Sequence, residues 1–285
     1  MTAFTIKTRR GAIEFGPRTL VMAVLNVTPD SFSDGGRYLD PKAAVDHARR
    51  LVDEGADIID VGGESTRSGA APVDPAEELA RVVPVIERLA DELPVPVSID
   101  TMKAGVAEAA LRAGASIVNV VGALTVDAGV ADAAAREEAA LILMHMKGRP
   151  AQMHEEAHYP SGVMGEILGQ LSGAMAIAEA RGVDRERIIV DPGLGFGKRA
   201  AHTLEALARL DELRSLGRPI LVGPSRKSFI GEVTGLPVSE RLIGTSAACA
   251  IAVMNGAQMV RVHEVKPVLP ALRIAEAVRD GKGDA

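Results

Sequence analysis

Asn26, Asp100, Asn119, His145, Asp191, Lys227 and His263 share one kind of address: each stands at the end of a short run of Val, Ile and Leu, or within a few residues of it. The runs cover residues 21–25, 58–61, 95–99, 117–118, 141–144, 188–190, 220–222 and 259–262. The second is followed by Gly62-Gly63-Glu64, the seventh by Gly223 and Arg226-Lys227, and Arg261 lies inside the eighth. Carboxylates, amides, imidazoles and cations placed this way are the residue types of an active site. The net charge does not exclude a local basic pocket for an anionic substrate, and Arg226, Lys227, Arg261 and His263 come late in the chain. Taken singly, each has a plainer explanation as a helix cap, a buried carboxylate or a turn former. Arg261 is the least easily explained away, because an arginine inside an apolar strand has no solvated surface to occupy.

The elements that position these residues follow from the runs. A short apolar run bounded by turn residues predicts a strand buried on both faces. The stretches between runs are long enough for the crossover helices that parallel strands need. Helices are expected over 41–54 with Asp40 as cap, 75–92 with Asp74 as cap, 103–112, 127–138, 162–181, 202–216, 239–255 and 266–280. Eight strand–helix units in sequence predict an α/β fold, a single (β/α)8 TIM barrel, whose active site is built at the strand C-termini. Ahead of it, residues 4–8 and 12–15 flank Arg9-Arg10-Gly11 and predict a β-hairpin covering the lower mouth of the barrel. We therefore expect one domain over residues 1–285, with 1–18 as an N-terminal extension and 281–285 as a frayed tail. The connections 27–39, 64–73 and 147–160 are long and rich in Gly, Pro and polar residues, as functional loops are.

Bulk composition narrows the class. The chain is 47% hydrophobic with five Phe, two Tyr and no Trp, so its core is aliphatic. A net charge of −6 argues against general nucleic-acid binding. No run approaches the roughly 18 apolar residues of a membrane span, and residues 1–10 contain no apolar signal segment. Cys249 is the one cysteine, in an apolar stretch, so no intrachain disulfide forms. A cytoplasmic protein is expected.

Read as motifs, these tips resemble the signatures of the dihydropteroate synthase family. Asn26-Val27-Thr28-Pro29-Asp30-Ser31-Phe32-Ser33-Asp34-Gly35-Gly36 is similar to the first, and Asp60-Val61-Gly62-Gly63-Glu64-Ser65-Thr66-Arg67 to the second. Ser98-Ile99-Asp100-Thr101, Met144-His145-Met146, Asp191-Pro192-Gly193-Leu194-Gly195-Phe196-Gly197-Lys198, Ser225-Arg226-Lys227-Ser228 and Arg261-Val262-His263 follow in the family's order. The glycine segment does not have the G-x-G-x-x-G spacing of a dinucleotide site and follows the sixth strand, not the first.

The resemblance implies condensation of a pterin diphosphate with 4-aminobenzoate, releasing pyrophosphate. Asp100, Asn119 and Asp191 would bind the pterin, whose edge carries donors and acceptors. Lys227 would contact the pterin and border the aminobenzoate site, and Arg261 and His263 would receive the diphosphate. Asn26 would be a ligand of Mg²⁺ arriving with that diphosphate. Phe32, Thr66 and Arg67, on loops closing over the site, would lie near the second substrate, with Ser228 receiving its carboxylate and Phe196 as an apolar wall. His145 is expected to be a hydrogen-bonder of the pocket. The resemblance also implies a homodimer and a sulfonamide target. Four positions depart from the family pattern: Val120 stands where an Asp usually follows Asn119, Ser68 where the second loop usually has proline, and His154 and Thr203 where Gln and Asn are more usual. Losing the proline loosens the loop, so weaker sulfonamide binding is expected. Two rival readings remain: a pterin-binding methyltransferase domain, and a catalytically altered paralogue.

Overall fold

Side chains on a strand alternate between its two faces, and in this chain that alternation separates two cores. The computed structural model describes residues 2–28, 41–65, 71–148 and 157–281. Strands β1 (Phe4–Thr8) and β2 (Gly11–Phe15) pair as an antiparallel hairpin. Eight parallel strands follow: β3 (Leu20–Asn26), β4 (Ile58–Gly62), β5 (Val97–Asp100), β6 (Ile117–Val121), β7 (Ala140–Met144), β8 (Ile188–Asp191), β9 (Leu221–Val222) and β10 (Met259–Val262). Their spatial order is β8-β7-β6-β5-β4-β3-β10-β9, and a parallel bridge between Val190 and Ile220 brings the two ends together into a barrel.

One phase of the alternation faces the helices. Val21, Ala23, Leu25, Ile59, Val61, Ile99, Val118, Val120, Leu141, Leu143, Val190, Val260 and Val262 pack there in one large apolar cluster. The other phase faces inward. Its lower members, among them Met22, Ile58, Ile117, Ile142, Ile189 and Met259, form a second cluster with Ile6, Ile13 and Phe15 of the hairpin. The hairpin thus seals the barrel's N-terminal mouth, as expected. Further along, the inward phase turns polar on β4, β5, β6, β8 and β10, at Asp60, Ser98, Asp100, Asn119, Asp191 and Arg261. Register sets their heights. Asn26 lies level with Gly62, Gly62 with Asp100, and Asp100 with Asn119.

The crossovers are α1 (Pro41–Asp53), α2 (Pro75–Glu92), α3 (Ala104–Arg112), α4 (Gly129–Arg136), α5 (Val163–Ala180), α6 (Ala200–Ala208), α7 (Ser228–Thr234), α8 (Leu242–Met254) and α9 (Leu269–Asp280). Asp74 caps α2, its carboxylate accepting from the Ala76 N–H at 2.8 Å. The fourth helix starts later than expected because Asp127 is spent as a cap: its oxygens accept from Gly129 N at 2.9 Å and from Ala104 N at 2.8 Å. The helix expected over 202–216 divides into α6 and a tighter 3₁₀ stretch, Leu210–Leu216, ended by Gly217 at φ 67°. The helix expected from residue 239 begins at Leu242, after a single 3₁₀ turn, Val238–Glu240. Helix α7 was not anticipated. Asp40 and residues 282–285 lie outside the described residues.

Candidate active site

A cavity of about 660 Å³ opens at the C-terminal rim. Asn26 from β3, Asp100 from β5, Asn119 from β6, Asp191 from β8, Arg261 and His263 from the end of β10, and Lys227 from the turn before α7 all line it, with Phe196 and Ser228. Of the residues singled out in the sequence, Phe32, Thr66 and Arg67 lie outside the described residues, as do Ser68 and His154.

The floor of the cavity is a charged network. Arg261 donates from Nε to Asp60 Oδ2 at 2.6 Å and from an Nη to Asp100 Oδ2 at 2.7 Å. Asn119 donates to the same Asp60 oxygen at 3.1 Å. Asp60 is fully buried and was missed from sequence; it joins the residues of β6 and β10 that the motifs singled out. Among the described residues, Asp100 Oδ1 and Asn119 Oδ1 have no hydrogen-bond donor. Buried acceptors in this state are costly, and a ligand edge rich in N–H groups would satisfy them. Arg261 therefore reaches the cavity as expected, but in this structure its fork is held by two carboxylates.

Electrostatics at the floor are set by burial. Burial raises Asp100 above the usual carboxylate range, Arg261 opposes it, and Asp60 adds to the rise. Burial likewise lifts Asp191 to about 6, against the Gly193 N–H, which binds its Oδ1 at 2.7 Å, and against Lys227, Lys198 and Arg261. Desolvation alone would lower Arg261; Asp60 and Asp100 more than reverse that, and its pKa is raised.

The walls differ in kind. Lys227 Nζ sits 3.7 Å from the centroid of the Phe196 ring, a cation–π contact. The chain reaches Lys227 through Arg226, which adopts a left-handed φ of 58° and is fastened by its N–H to Thr245 Oγ1 at 3.1 Å. The Arg226 carbonyl accepts from Arg241 at 3.2 Å, and its guanidinium pairs with Glu264. His263 is oriented by Ser225, whose Oγ lies 3.0 Å from Nδ1. One sequence expectation changes. His145 does not line this cavity: it follows Met144, the inward-facing end of β7, and so falls in the opposite phase, buried behind the wall against Lys198 at 2.7 Å. Val120 also faces away, into the helix layer, so the departure beside Asn119 does not alter the cavity's surface.

Residues 22–263 match the model of the family described as pterin binding enzyme, and the chain belongs to that family. Within it the chain groups with the dihydropteroate synthases. It is 45% identical over 266 residues to the dihydropteroate synthase of Synechocystis sp., covering 93% of this chain and 92% of that one. Among solved structures, Yersinia pestis dihydropteroate synthase with a sulfonamide drug complex gives a TM-score of 0.91 at 42% identity, covering 97% of this chain and 100% of that one. Xanthomonas albilineans dihydropteroate synthase with 4-aminobenzoic acid gives 0.89 at 42% identity, covering 98% and 99%.

Proposed function

We propose that this cavity condenses 6-hydroxymethyl-7,8-dihydropterin diphosphate with 4-aminobenzoate, giving 7,8-dihydropteroate and pyrophosphate. The observation that carries this is a single cavity with buried acceptors at its floor and Arg261, His263 and Lys227 around them. Asp191, Asn119 and Asp100 take the donor-rich edge of the pterin. Arg261 and His263 receive the diphosphate, for which the guanidinium exchanges its carboxylate partners for phosphate oxygens. Departure of the diphosphate leaves positive charge on the methylene carbon, delocalised into the pterin ring. Asp100 and Asp191, in their ionised form at that edge, stabilise the charge as it develops. The aminobenzoate amine then attacks the exposed carbon, with Ser228 meeting the carboxylate and Phe196 excluding water beside Lys227. Phe32, Thr66 and Arg67 complete the second site from the loops after β3 and β4.

Asn26 fits a Mg²⁺ ion in one respect: it offers a hard oxygen lining the cavity at the rim. Among the described residues no group of three or more His, Cys, Asp or Glu is placed to hold a metal ion. A cation held by Asn26 would therefore take its other oxygens from water and the diphosphate, and when bound would neutralise leaving-group charge.

The protein acts as a cytoplasmic homodimer in this reading. Ile243, Ile251 and Met254 on α8 and Ile274 and Val278 on α9 leave large apolar side chains exposed on packed neighbouring helices. Among the described residues, no helix is long and apolar enough to cross a membrane. The deciding experiment is pyrophosphate release with pterin diphosphate, 4-aminobenzoate and Mg²⁺. Release that requires both organic substrates supports the reading. No release, or methyl transfer from a reduced folate instead, overturns it.

A further inference from the structure

Behind the Phe196 wall lies a buried cation that the reaction above leaves without a task. Lys198 is 1% exposed, and its Nζ lies 2.7 Å from His145 Nδ1, 2.9 Å from the Gly193 carbonyl and 3.2 Å from the Phe196 carbonyl. Two carbonyls and one ring nitrogen are what an ammonium with three N–H donors satisfies. Burial, and then the charge of Lys198, push His145 down to about 2, so its ring is neutral and Nδ1 offers a lone pair. Burial also pulls Lys198 down, to about 7, with Asp191 opposing.

The carbonyls belong to the turn 193–197, whose three glycines adopt left-handed φ values of 63°, 79° and 62°. Two of them have no alternative: a Cβ on Gly193 would lie 1.9 Å from the His145 carbonyl, and one on Gly197 2.3 Å from that of Lys147. A turn so rich in glycine is expensive to hold in one shape. Its fastenings are the Gly193 N–H to Asp191 Oδ1 at 2.7 Å, the Phe196 N–H to Gly193 O at 3.1 Å, the Tyr159 hydroxyl to Gly197 O at 2.8 Å, and Lys198. On the cavity side the same turn carries Phe196, against which Lys227 rests.

We propose that Lys198 is a positioning residue for the pterin half of the reaction: it fastens the turn 193–197 to His145, so that Phe196 and the Lys227 ammonium above it are held at the height the pterin requires. This deepens, and rests on, the dihydropteroate synthase reading. The test is Lys198→Met in the full chain, with steady-state kinetics in both substrates and amide hydrogen exchange. The expected result is a KM for pterin diphosphate raised about tenfold, the factor for one lost charged hydrogen bond. The KM for 4-aminobenzoate should move less than threefold. Exchange at 193–197 should accelerate by a similar factor, with β3 to β5 unchanged. Combined with His145→Ala, the double variant should be no worse than the worse single one, because both break the same tie. Should Lys198→Met fail to fold, Tyr159→Phe removes a milder fastening of the same turn and should raise the pterin KM about threefold, within the range of one neutral hydrogen bond. A folded Lys198→Met variant with an unchanged pterin KM, with equal rises in both KM values, or with unchanged exchange at the turn overturns the proposal. If the wild type releases no pyrophosphate, the functional reading fails by itself, and the exchange arm, which needs no substrate, still decides whether Lys198 holds the turn.

Discussion

Asp191→Asn is expected to make the protein more stable and nearly inactive. Burial lifts this carboxyl from 3.8 to about 6, even with the Gly193 N–H and three cations favouring its charge. Ionised Asp191 is therefore less favourable in the folded chain than in the unfolded one. The gap between 3.8 and about 6, at about 1.4 kcal/mol for each pH unit, is a penalty of about 3 kcal/mol. Its pH dependence has a fixed sign. Above about pH 6 the native carboxyl is ionised and the full penalty applies. Between about 6 and 4 the native state binds a proton that the unfolded state does not, so stability rises as the pH falls. Asparagine has the same shape, carries no charge, and keeps an oxygen for the Gly193 N–H that now binds at 2.7 Å. The variant should exceed the wild type by up to about 3 kcal/mol at pH 8 and by about half of that at pH 5. Loss of a carboxylate that accepts from the pterin should lower pyrophosphate release about 100-fold. Urea unfolding followed by circular dichroism at the two pH values measures the first effect. A variant less stable than wild type at pH 8, or a gain that ignores pH, would refute the argument that desolvation dominates at Asp191.

Asp60→Asn removes the charged partner of Arg261 Nε and should cost about 2–4 kcal/mol, read by the same unfolding assay, while raising the pterin KM because Arg261 and Asn119 lose a common anchor. Ile6→Ala, in the sealed lower core, should cost about 2–5 kcal/mol yet leave kcat and both KM values within about twofold. A sulfonamide should inhibit Ser68→Pro more tightly than wild type; equal inhibition constants would dismiss the loop argument. If the proposed homodimer pairs through α8, Ile243→Glu, at a site 82% exposed, should shift sedimentation from dimer to monomer, and an unchanged profile would refute that interface.

The sequence makes the strands and their tips readable because the strands are continuous apolar runs that end at polar residues. The alternation of faces within those runs explains what went unread. Asp60 sits within the run 58–61, where an acid is easily taken as part of an apolar strand. The available signal was its phase: it stands two residues before Gly62, on the inward side, level with Ser98 of β5. His145 was assigned to the pocket by its place after a run, whereas counting from Ala140, Ile142 and Met144 puts it outside. Helix α7 escaped because its seven residues follow Lys227 with no side-chain cap. The break between α6 and Leu210–Leu216 has no comparable warning, since Arg209 and Leu210 are ordinary helix formers.

Ile6, Ile13 and Phe15 turn the barrel into a blind well. Among the described residues, two reactants and two products then share one doorway, with no back exit for the smaller anion. Turnover in such a vessel is a queue, in which whatever lodges at the mouth detains everything beneath it. A blocker needs only to cork the opening; it need not compete for the acids at the bottom.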